Sequence, residues 1–430
     1  MSGRADKSAG REKRIAVVGA GISGLTAAYI LQRAGGVTVY EASRRLGGHA
    51  HARHFDEANG GRVAIDTGFI TFSHKSYPNL SRLFTELDVD TDPTWLSFAI
   101  RCDGCGLEYV LADGVKGLRP RVVPADRARY LTMLAQVPRF NQKARKLARQ
   151  GVEKASPTLG EFLAAGHFTD YFVQHYVIPL VSALWSCGPQ LVLAYPAPYI
   201  VRYLAHHGLL DIYKSNDWRT VRGTSQSYVD RIARILIDVR LSTPVKGVRR
   251  TPVGVEITDA KGRTETYDAV VMATHADQSL RLLSDATEAE RRVLGAFTYA
   301  RNTVTIHTDT SILSGRPGAR GAWNYRLVAC SPPSGLALIT YHMNKLHRFK
   351  AAGEYLVTLN DAAFVDRDRV VGEITYEHPI DTPASVAARQ LLPALSTART
   401  AFAGAYHGWS SHEDGCRSGV DAALALGVRW

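Results

Sequence analysis

The N-terminal part of the chain alternates between short apolar runs and a segment with helical spacing. Residues 14–18 form a β-branched apolar run that is typical of a buried parallel strand, and apolar residues recur at helical intervals over residues 22–34. The glycines at 35–36 are expected to end this helix, and residues 37–40 form a second apolar run. A glycine-rich turn, residues 19–24, separates the first strand from the helix. This order of strand, glycine turn, helix and strand predicts a dinucleotide-binding unit.

Each glycine of the turn has a distinct predicted role. Gly19 permits a tight bend, Gly21 lets backbone N–H groups approach a pyrophosphate, and Gly24 lets the helix lie close to its strand. The helix N-terminus adds partial positive charge for the phosphates. Glu41 follows the second strand, where a carboxylate accepts hydrogen bonds from ribose hydroxyls. An acid at this position favours NAD or FAD over NADP.

The middle of the chain departs from this alternation. Residues 91–220 combine two short strands with helices rich in aromatic residues, which is typical of an inserted substrate domain. Residues 243–267 alternate as a three-stranded meander, and residues 268–274 form another buried strand. The predicted fold class is α/β, a Rossmann-like domain with an interleaved α+β substrate domain. The predicted boundaries place residues 14–90, 221–295 and 386–430 in the nucleotide domain, residues 91–220 and 296–385 in the substrate domain, and residues 1–13 in a disordered tail.

Composition adds the cellular context. The chain of 430 residues is 45% hydrophobic and 21% charged, as in globular proteins. No apolar run reaches the ~18 to 20 residues that a membrane helix needs. Five cysteines without a regular framework, and an N-terminus without an apolar signal segment, favour the cytoplasm.

The net charge of +12 is concentrated in residues 116–154, which contain eleven Lys or Arg residues and two acids. Apolar residues between Tyr130 and Ala148 share one helical face, most cations lie on the other, and Pro138 is expected to kink the segment. Two interpretations stay open. The segment is either a solvated helix covering the core, or a peripheral docking surface for anionic lipids on the inner face of the membrane or for an acidic substrate carrier. No motif supports nucleic-acid binding.

The cysteines predict no metal site. Cys102 and Cys105 form a Cys-x-x-Cys pair without a second pair, and Cys187, Cys330 and Cys416 are scattered along the chain. Because zinc needs four ligands, buried or turn thiols are favoured over a redox pair or metal ligands.

Further motifs complete the pattern. They are the Glu41-Ala-Ser-Arg-Arg45-Leu-Gly47-Gly48 run, Asp66-Thr-Gly-Phe69, Tyr77-Pro-Asn-Leu80, Cys102-Asp-Gly-Cys105-Gly-Leu-Glu-Tyr109, Ala273-Thr-His-Ala-Asp277, and His412-Glu-Asp-Gly415 with Arg417-Ser-Gly419. With them, the chain resembles the FAD-dependent amine-oxidase superfamily, which includes monoamine oxidases, protoporphyrinogen oxidase and phytoene-type desaturases. It is most similar to a bacterial branch of flavoproteins linked to fatty acyl modification.

The resemblance implies an amine-oxidase-like fold and non-covalently bound FAD. The implied cofactor-binding residues are Gly19, Gly21, Ser23 and Gly24 at the pyrophosphate, Glu41 at the adenosine ribose, Arg45 at the pyrophosphate or ribityl chain, Gly47, Gly48, Gly68 and Phe69 near the flavin, Val245 at the adenine through its backbone, and Gly404 and His412 at the flavin. The helix that begins near His412 would stabilise negative charge on the reduced flavin.

Two positions depart from the family pattern. Many members carry an acid where this chain has Ala405, and amine oxidases place one aromatic wall of their amine cage where this chain has Ser411. The missing wall favours a bulkier or aliphatic substrate over an amine.

The predicted function is dehydrogenation of an apolar substrate, such as a fatty acyl or polyketide-like chain, by hydride transfer to flavin N5. Tyr341 and His412 are the candidate catalytic residues, as general base or positioning groups. Three alternatives stay open: an amine oxidase, a flavin-dependent double-bond isomerase, and a non-catalytic flavin-bound partner at a membrane.

Overall fold

The computed structural model describes residues 12–57, 59–111, 126–150, 156–185, 187–210, 217–331, 338–360 and 362–430. These residues form two compact units. The first unit contains the described residues through Gly48, together with Tyr228–Ala296 and Ala388–Trp430. The second unit contains His49–Ser227 and Phe297–Ala387. The predicted tail lies outside the described residues as far as residue 11.

The strands of the described residues are, in chain order, β1 (Lys13–Val18), β2 (Gly35–Tyr40), β3 (Ala52–Asp56), β4 (Arg62–Asp66), β5 (Phe72–Ser73), β6 (Thr91–Pro93), β7 (Phe98–Cys102), β8 (Glu108–Leu111), β9 (Trp218–Val221), β10 (Asp238–Arg240), β11 (Val245–Thr251), β12 (Gly254–Asp259), β13 (Thr264–Tyr267), β14 (Ala269–Met272), β15 (Thr298–His307), β16 (Trp323–Leu327), β17 (Leu338–His342), β18 (Leu356–Leu359), β19 (Val370–Ile380) and β20 (Thr400–Phe402). The α-helices of the same residues are α1 (Ile22–Leu31), α2 (Pro78–Glu86), α3 (Arg127–Ala148), α4 (Leu159–Ala165), α5 (Asp170–Phe172), α6 (Ile178–Trp185), α7 (Pro189–Ala194), α8 (Ala197–His206), α9 (Gln226–Ile235), α10 (Ala276–Leu282), α11 (Glu288–Leu294), α12 (Met343–His347), α13 (Pro383–Arg389) and α14 (His412–Ala425).

A parallel sheet lies at the centre of the first unit. Within the described residues its strand order is β10-β2-β1-β14-β20, and all neighbours are parallel. The apolar residues of β1 and β14 are buried, as in sheets covered on both faces. The helix α1 connects β1 to β2, and β11, β12 and β13 form the predicted antiparallel meander. The first unit therefore has the predicted Rossmann-like topology.

The boundary between α1 and β2 differs from the prediction. The helix ends at Leu31, and Gly35 and Gly36 pair with Lys13 and Arg14 as the first residues of β2. A Cβ atom at Gly35 would lie 2.5 Å from the Lys13 carbonyl oxygen. Both glycines thus extend the strand instead of ending the helix, and at Gly35 only glycine allows the close approach to β1.

A larger mixed sheet organises the second unit. Among the described residues its strand order is β19-β15-β18-β17-β16-β7-β8, and β16 with β7 is the parallel pair. Val304, Ile306 and Val357 on this sheet belong to one buried apolar cluster. The strands β7 and β8, which come from an earlier part of the chain, extend this sheet at one edge.

The predicted domain boundaries differ from the two units. The sequence places residues 49–90, 221–227 and 386–387 in the nucleotide domain, yet they lie in the second unit. Ile65 and Ile70 belong to the same cluster as Val304 and Val357, and β5 and β6 pair with β9. Burial of these apolar side chains attaches the segment to the second sheet.

A helical block follows β8 in the second unit. Within it, α5 continues through a π-helical turn, Val173–Val177, into α6. The rings of Phe140, Phe168 and Phe172 pack with centroids 5.1 to 5.9 Å apart. The predicted aromatic block therefore forms an apolar core of its own.

The predicted basic helix is α3. Its buried side chains include Tyr130, Met133, Val137 and Phe140, which lie on the predicted apolar face. Pro138 lies inside the helix. The parts of the predicted segment before residue 126 and after residue 150 lie outside the described residues. No helix in the described part of the chain is long and apolar enough to cross a membrane.

Candidate functional site

The glycine turn between β1 and α1 is sterically constrained. Gly19 has a φ of +101°, and a Cβ atom there would lie 2.7 Å from the Ala273 carbonyl oxygen. A Cβ atom at Gly24 would lie 1.9 Å from the carbonyl oxygen of Gly19. Both positions therefore require glycine so that the turn, α1 and the end of β14 can pack together.

Gly21 is different, because a Cβ atom there would meet no atom within 4 Å. No side chain of the described residues caps the N-terminus of α1 at this residue. Gly47 donates a backbone hydrogen bond to Ala20 at 2.8 Å, and a Cβ at Gly48 would lie 3.1 Å from Gly21 Cα. Two glycine segments thus border an uncapped helix N-terminus, which fits a pyrophosphate. Ser23 lies buried in the first turn of the helix.

Glu41 connects this turn to the end of β2. Its Oε2 accepts the Ala20 N–H at 2.8 Å, and its Oε1 accepts the Ser43 N–H at 2.8 Å. Each carboxylate oxygen has further acceptor capacity, which fits ribose hydroxyls. Arg45 donates to the carbonyl oxygen of Gly48 at 2.8 Å, so its guanidinium also stabilises the glycine loop.

Val245 begins β11, where it pairs with Asp259 next to a register shift at Gly247. Its backbone is therefore close to an irregularity in the ladder. The assignment of this backbone to adenine stays a prediction.

The return segment, residues 404–414, leads into α14. Gly404 donates its N–H to Ser418 Oγ at 2.9 Å. Ser411 caps the helix by accepting the Asp414 N–H at 3.1 Å, and its hydroxyl donates to Asp414 Oδ2 at 2.6 Å. The side chain of Asp414 also accepts the Trp409 N–H at 2.9 Å. This hydrogen-bond network fixes the helix start at Ser411.

The helix α14 packs directly against α1. A Cβ atom at Gly419 would lie 2.4 Å from the Ser23 carbonyl oxygen, and one at Gly415 would lie 2.7 Å from Ile22 Cγ2. Small residues therefore let the two helices come together. The structure thus brings the turn at 19–24 and the start of α14 into one region, as the resemblance implies.

His412 is held by a residue that the sequence did not single out. Its Nε2 lies 2.6 Å from the hydroxyl of Tyr228, which is fully buried. Burial lowers the pKa of His412 to about 3, so the imidazole is neutral near pH 7. The imidazole is therefore a neutral group with a hydrogen-bond partner. The flavin contact that the resemblance implies would come from the backbone N–H of His412.

The remaining predicted residues lie in the second unit. The Phe69 N–H donates to the His49 carbonyl oxygen at 3.0 Å, and a Cβ at Gly68 would lie 2.3 Å from that oxygen. Tyr341 lies opposite Trp323 on neighbouring strands, with ring centroids 5.2 Å apart and nearly perpendicular. The buried Trp323 Nε1 has no hydrogen-bond partner among the described residues.

A buried polar network surrounds Asp66, which ends β4. The backbone and hydroxyl of Ser225 donate to its carboxylate at 3.0 and 2.5 Å. His347 Nε2 lies 3.3 Å from Asp66 Oδ2, and His347 Nδ1 lies 3.0 Å from Thr220 Oγ1. Burial raises the pKa of Asp66 to about 7 and lowers that of His347 to about 4. The sequence indicated the Asp66 motif and gave no sign of His347.

Tyr376 contacts three residues that come shortly after the glycine loop in the sequence. Its hydroxyl lies 2.7 Å from Thr67 Oγ1 and 3.1 Å from His51 Nδ1. The ring of His49 stacks on that of Tyr376, with centroids 4.7 Å apart. Tyr376 is more than 300 residues from these partners in the chain, and the sequence did not indicate this contact.

The cysteines are less scattered than their sequence positions suggest. Cys330 lies with Cys102 and Cys105, and His175 joins them. Cys416 instead lies in α14, where its Sγ is 3.6 Å from Thr26 Oγ1. The prediction of no metal ligands counted Cys330 as remote, and the structure brings it close because β16 runs beside β7.

Comparison with known sequences gives the relatives of the chain. A family model described as flavin containing amine oxidoreductase matches residues 22–313. The chain is 25% identical over 355 residues to carotenoid phi-ring synthase of Streptomyces griseus, which covers 75% of this chain and 65% of that protein. It is 40% identical over 87 residues to tryptophan 2-monooxygenase of Pantoea agglomerans pv. gypsophilae, which covers 20% and 15%. The chain thus spans less than two thirds of the length of either relative.

Solved structures show the same fold over nearly the whole chain. Cyclohexylamine oxidase from Brevibacterium oxydans IH-35A matches with a TM-score of 0.69 at 16% identity, covering 97% of this chain and 99% of that chain. The CLA-producing fatty acid isomerase from P. acnes matches with a TM-score of 0.65 at 17% identity and the same coverage. The predicted fold class is confirmed.

Proposed function

Because the chain belongs to the family of flavin-containing amine oxidoreductases, we propose that it is an FAD-dependent oxidoreductase that dehydrogenates an apolar carbon chain. A fatty acyl group is the favoured substrate class. The family assignment confirms the resemblance to the amine-oxidase superfamily and supports the predicted cofactor, FAD. When bound, FAD supplies the hydride acceptor.

The start of α14 is the observation that carries the preference for a carbon chain. The resemblance places Ser411 at the position of the aromatic cage wall in amine oxidases. In the structure its hydroxyl donates a hydrogen bond to Asp414 and caps the helix. Serine has no aromatic ring, so this position cannot stack against an amine by a cation–π interaction. The preference for an uncharged carbon chain follows from this exchange.

The names of two similar proteins favour the same substrate class. One relative is a carotenoid ring synthase, and one structural neighbour is a fatty acid isomerase. Both names refer to long apolar molecules. Cyclohexylamine oxidase, with the same fold, keeps the amine oxidase alternative open to experiment.

The proposed reaction forms one C=C bond from a C–C single bond. Two hydrogens would leave the substrate, one as a hydride to the bound cofactor and one as a proton to water, and oxygen or another oxidant would later remove the two electrons from the cofactor. His412 is a poor base for that proton, because its pKa is low and its Nε2 is paired with Tyr228. Its backbone, at the start of α14, instead places partial positive charge where the resemblance puts the flavin. Tyr341 is the proposed positioning group.

An anaerobic experiment tests this function. Purified protein loaded with FAD is mixed with free fatty acids, phospholipids, or a panel of simple amines. Loss of the flavin absorbance with a lipid, and a product lighter by two hydrogens, is expected. Free FAD with the same lipids is the control.

Three different outcomes would overturn the proposal. Bleaching by amines alone would identify an amine oxidase, and a lipid product of unchanged mass would identify an isomerase. No bleaching by any lipid, with vesicle binding that survives loss of FAD, would identify a non-catalytic partner. Tyr341→Phe keeps the ring beside Trp323 and should slow bleaching without changing FAD content.

The exposed cations of α3 support a further proposal about location. Arg127, Arg129 and Lys146 lie on its exposed face. This face would attract anionic lipid headgroups and hold the protein at the membrane surface, close to fatty acyl chains.

A further inference from the structure

Three cysteines and a histidine converge in the second unit, outside the residues assigned to FAD. The ligand atoms of Cys102, Cys105, Cys330 and His175 all lie within 4.8 Å of one another. Cys102 ends β7, Cys105 lies in the turn to β8, Cys330 follows β16, and His175 lies in the π-helical turn. Only the folded chain brings these segments together.

The spacing matches tetrahedral zinc coordination. Bonds of about 2.3 Å to sulfur and about 2.0 to 2.1 Å to nitrogen place two sulfurs about 3.8 Å apart and a sulfur and nitrogen about 3.6 Å apart. Cys102 Sγ lies 3.8 Å from Cys330 Sγ, and Cys105 Sγ lies 3.6 Å from His175 Nε2. The other four distances between ligand atoms lie within 4.8 Å, so closing the cluster onto a Zn²⁺ ion would shorten any of them by at most about 1 Å.

The histidine is oriented as a metal ligand. Its Nδ1 lies 3.0 Å from the Tyr171 carbonyl oxygen, to which it can only donate. This bond places the proton on Nδ1 and directs the lone pair of Nε2 toward Cys105. The imidazole is also buried and stacks on the Tyr171 ring, with centroids 4.1 Å apart. A histidine held in this way has one fixed ligand atom.

The Cys-x-x-Cys turn is also held in place. Gly106 has a φ of +68°, and a Cβ at Gly104 would lie 2.9 Å from the Cys330 backbone nitrogen. Asp103 donates its N–H to Leu327 at 2.8 Å, and its carboxylate bonds Arg326 at 2.8 Å. The turn is therefore fixed against the end of β16, just before Cys330.

A disulfide or a redox pair fits the cluster less well than a metal ion does. A disulfide requires about 2.05 Å between sulfurs, and Cys102 and Cys330 are free and 3.8 Å apart. A redox pair would use two cysteines and leave the third cysteine and the oriented imidazole without a role. Three soft sulfur donors and one imidazole are the donor set that zinc prefers.

We propose that Cys102, Cys105, Cys330 and His175 bind one Zn²⁺ ion in a closed, structural Cys₃His site. Four protein ligands leave no position for water or substrate, so the ion would stabilise the fold. It would join the β7–β8 turn, the end of β16 and the π-helical turn. Because Cys102 and Cys330 are 228 residues apart, this link would constrain the unfolded chain strongly.

Metal analysis of the intact flavoprotein tests the site. The protein is produced in zinc-supplemented medium, dialysed, and analysed by mass spectrometry for metals. About one zinc per chain is expected. Cobalt exchanged into the same protein should show the thiolate charge-transfer and tetrahedral ligand-field bands, which free flavin lacks.

Variants locate the ion. Cys105→Ser and His175→Phe should lose it, whereas His175→Cys should keep it because a Cys₄ site also binds zinc. Cys187→Ser and Cys416→Ser are matched controls outside the cluster and should keep it. Wild-type protein treated with a strong chelator should unfold at a lower temperature and recover when zinc is returned.

Two results would overturn the proposal. One is wild-type protein with reduced thiols that holds neither zinc nor cobalt. The other is zinc that remains in His175→Phe and Cys105→Ser but leaves with a control cysteine. Neither result depends on FAD or substrate, so failure here is separate from failure of the proposed oxidoreductase.

Discussion

At the scale of single residues, the three glycines of the first turn occur for different physical reasons. Gly19 and Gly24 are required because neighbouring backbone atoms occupy the space of a side chain. Gly21 faces open space, and its φ of −72° and ψ of −179° suit any residue. The fold therefore requires glycine at positions 19 and 24 but not at position 21, where the predicted role in binding the pyrophosphate stays a prediction.

This difference predicts opposite behaviour for two alanine substitutions. Gly21→Ala should leave the stability of the FAD-free protein within about 1 kcal/mol and weaken FAD binding by about 10-fold or more, because the methyl group would enter the pyrophosphate space. Gly24→Ala should destabilise the FAD-free protein by about 1 to 3 kcal/mol. Thermal unfolding and a fluorescence titration with FAD measure the two effects. Equal stability losses in both variants would contradict this assignment.

At the scale of elements, α3 has cations of two kinds. Arg139 donates to the Gly166 carbonyl oxygen at 2.7 Å, and Arg145 donates to that of Leu210. These two cations stabilise the helical block. Exposed cations such as Lys146 and Arg149 are the ones that can contact an anionic surface.

Charge reversal separates docking from simple solvation. The triple variant Lys143→Glu, Lys146→Glu and Arg149→Glu should reduce binding to vesicles containing phosphatidylglycerol by at least about 10-fold, because each surface cation contributes about 1 kcal/mol. Sedimentation with vesicles measures the loss, and phosphatidylcholine vesicles should show little binding by either protein.

The matched control reverses three exposed cations of the first unit, Lys261, Arg291 and Arg292. It carries the same change in net charge. If both triple variants lose binding equally, the effect comes from net charge, and α3 is only a solvated helix.

At the scale of the whole molecule, buried histidines link stability to pH. Burial lowers the pKa of His207, His407 and His412 to about 3 and that of His307 to about 4. Near pH 6.5 each of these histidines takes up a proton only in the unfolded chain. Its contribution to the free energy of unfolding is therefore present above that pH and is lost as the pH falls toward the pKa of the folded state. Asp66 and His347 together hold about one proton between about pH 4 and pH 6.5, on Asp66 in the folded protein and on His347 in the unfolded chain, because burial shifts their pKa values in opposite directions. Their contributions nearly cancel.

The protein should therefore be acid-labile. Four extra protons on the unfolded chain, one for each of these histidines, reduce the free energy of unfolding by up to about 5.4 kcal/mol per pH unit below about pH 6. His307→Gln should make this dependence shallower by about 1.4 kcal/mol per pH unit, and Asp66→Asn should make it steeper by a similar amount. Urea unfolding at several pH values measures the slopes. Unchanged slopes in both variants would contradict the assignment.

The sequence alone determined the first unit and its cofactor class. The strand, glycine turn, helix and acid are local, because adjacent residues create the turn, the helix N-terminus and the position of Glu41. The fold class followed, since periodicity and turn residues report local structure directly. The motif around Asp66 was also visible in sequence, although its unit was assigned incorrectly.

Only the tertiary structure decided which distant residues meet. Tyr228 holds His412, His347 lies beside Asp66, and Cys330 joins Cys102 through the pairing of β16 with β7. Such contacts depend on the order of the strands in a sheet and on which helix and sheet faces are buried together. The spacing of residues along the chain determines neither of these. For that reason the cysteines look scattered in the sequence and form one cluster in the folded protein.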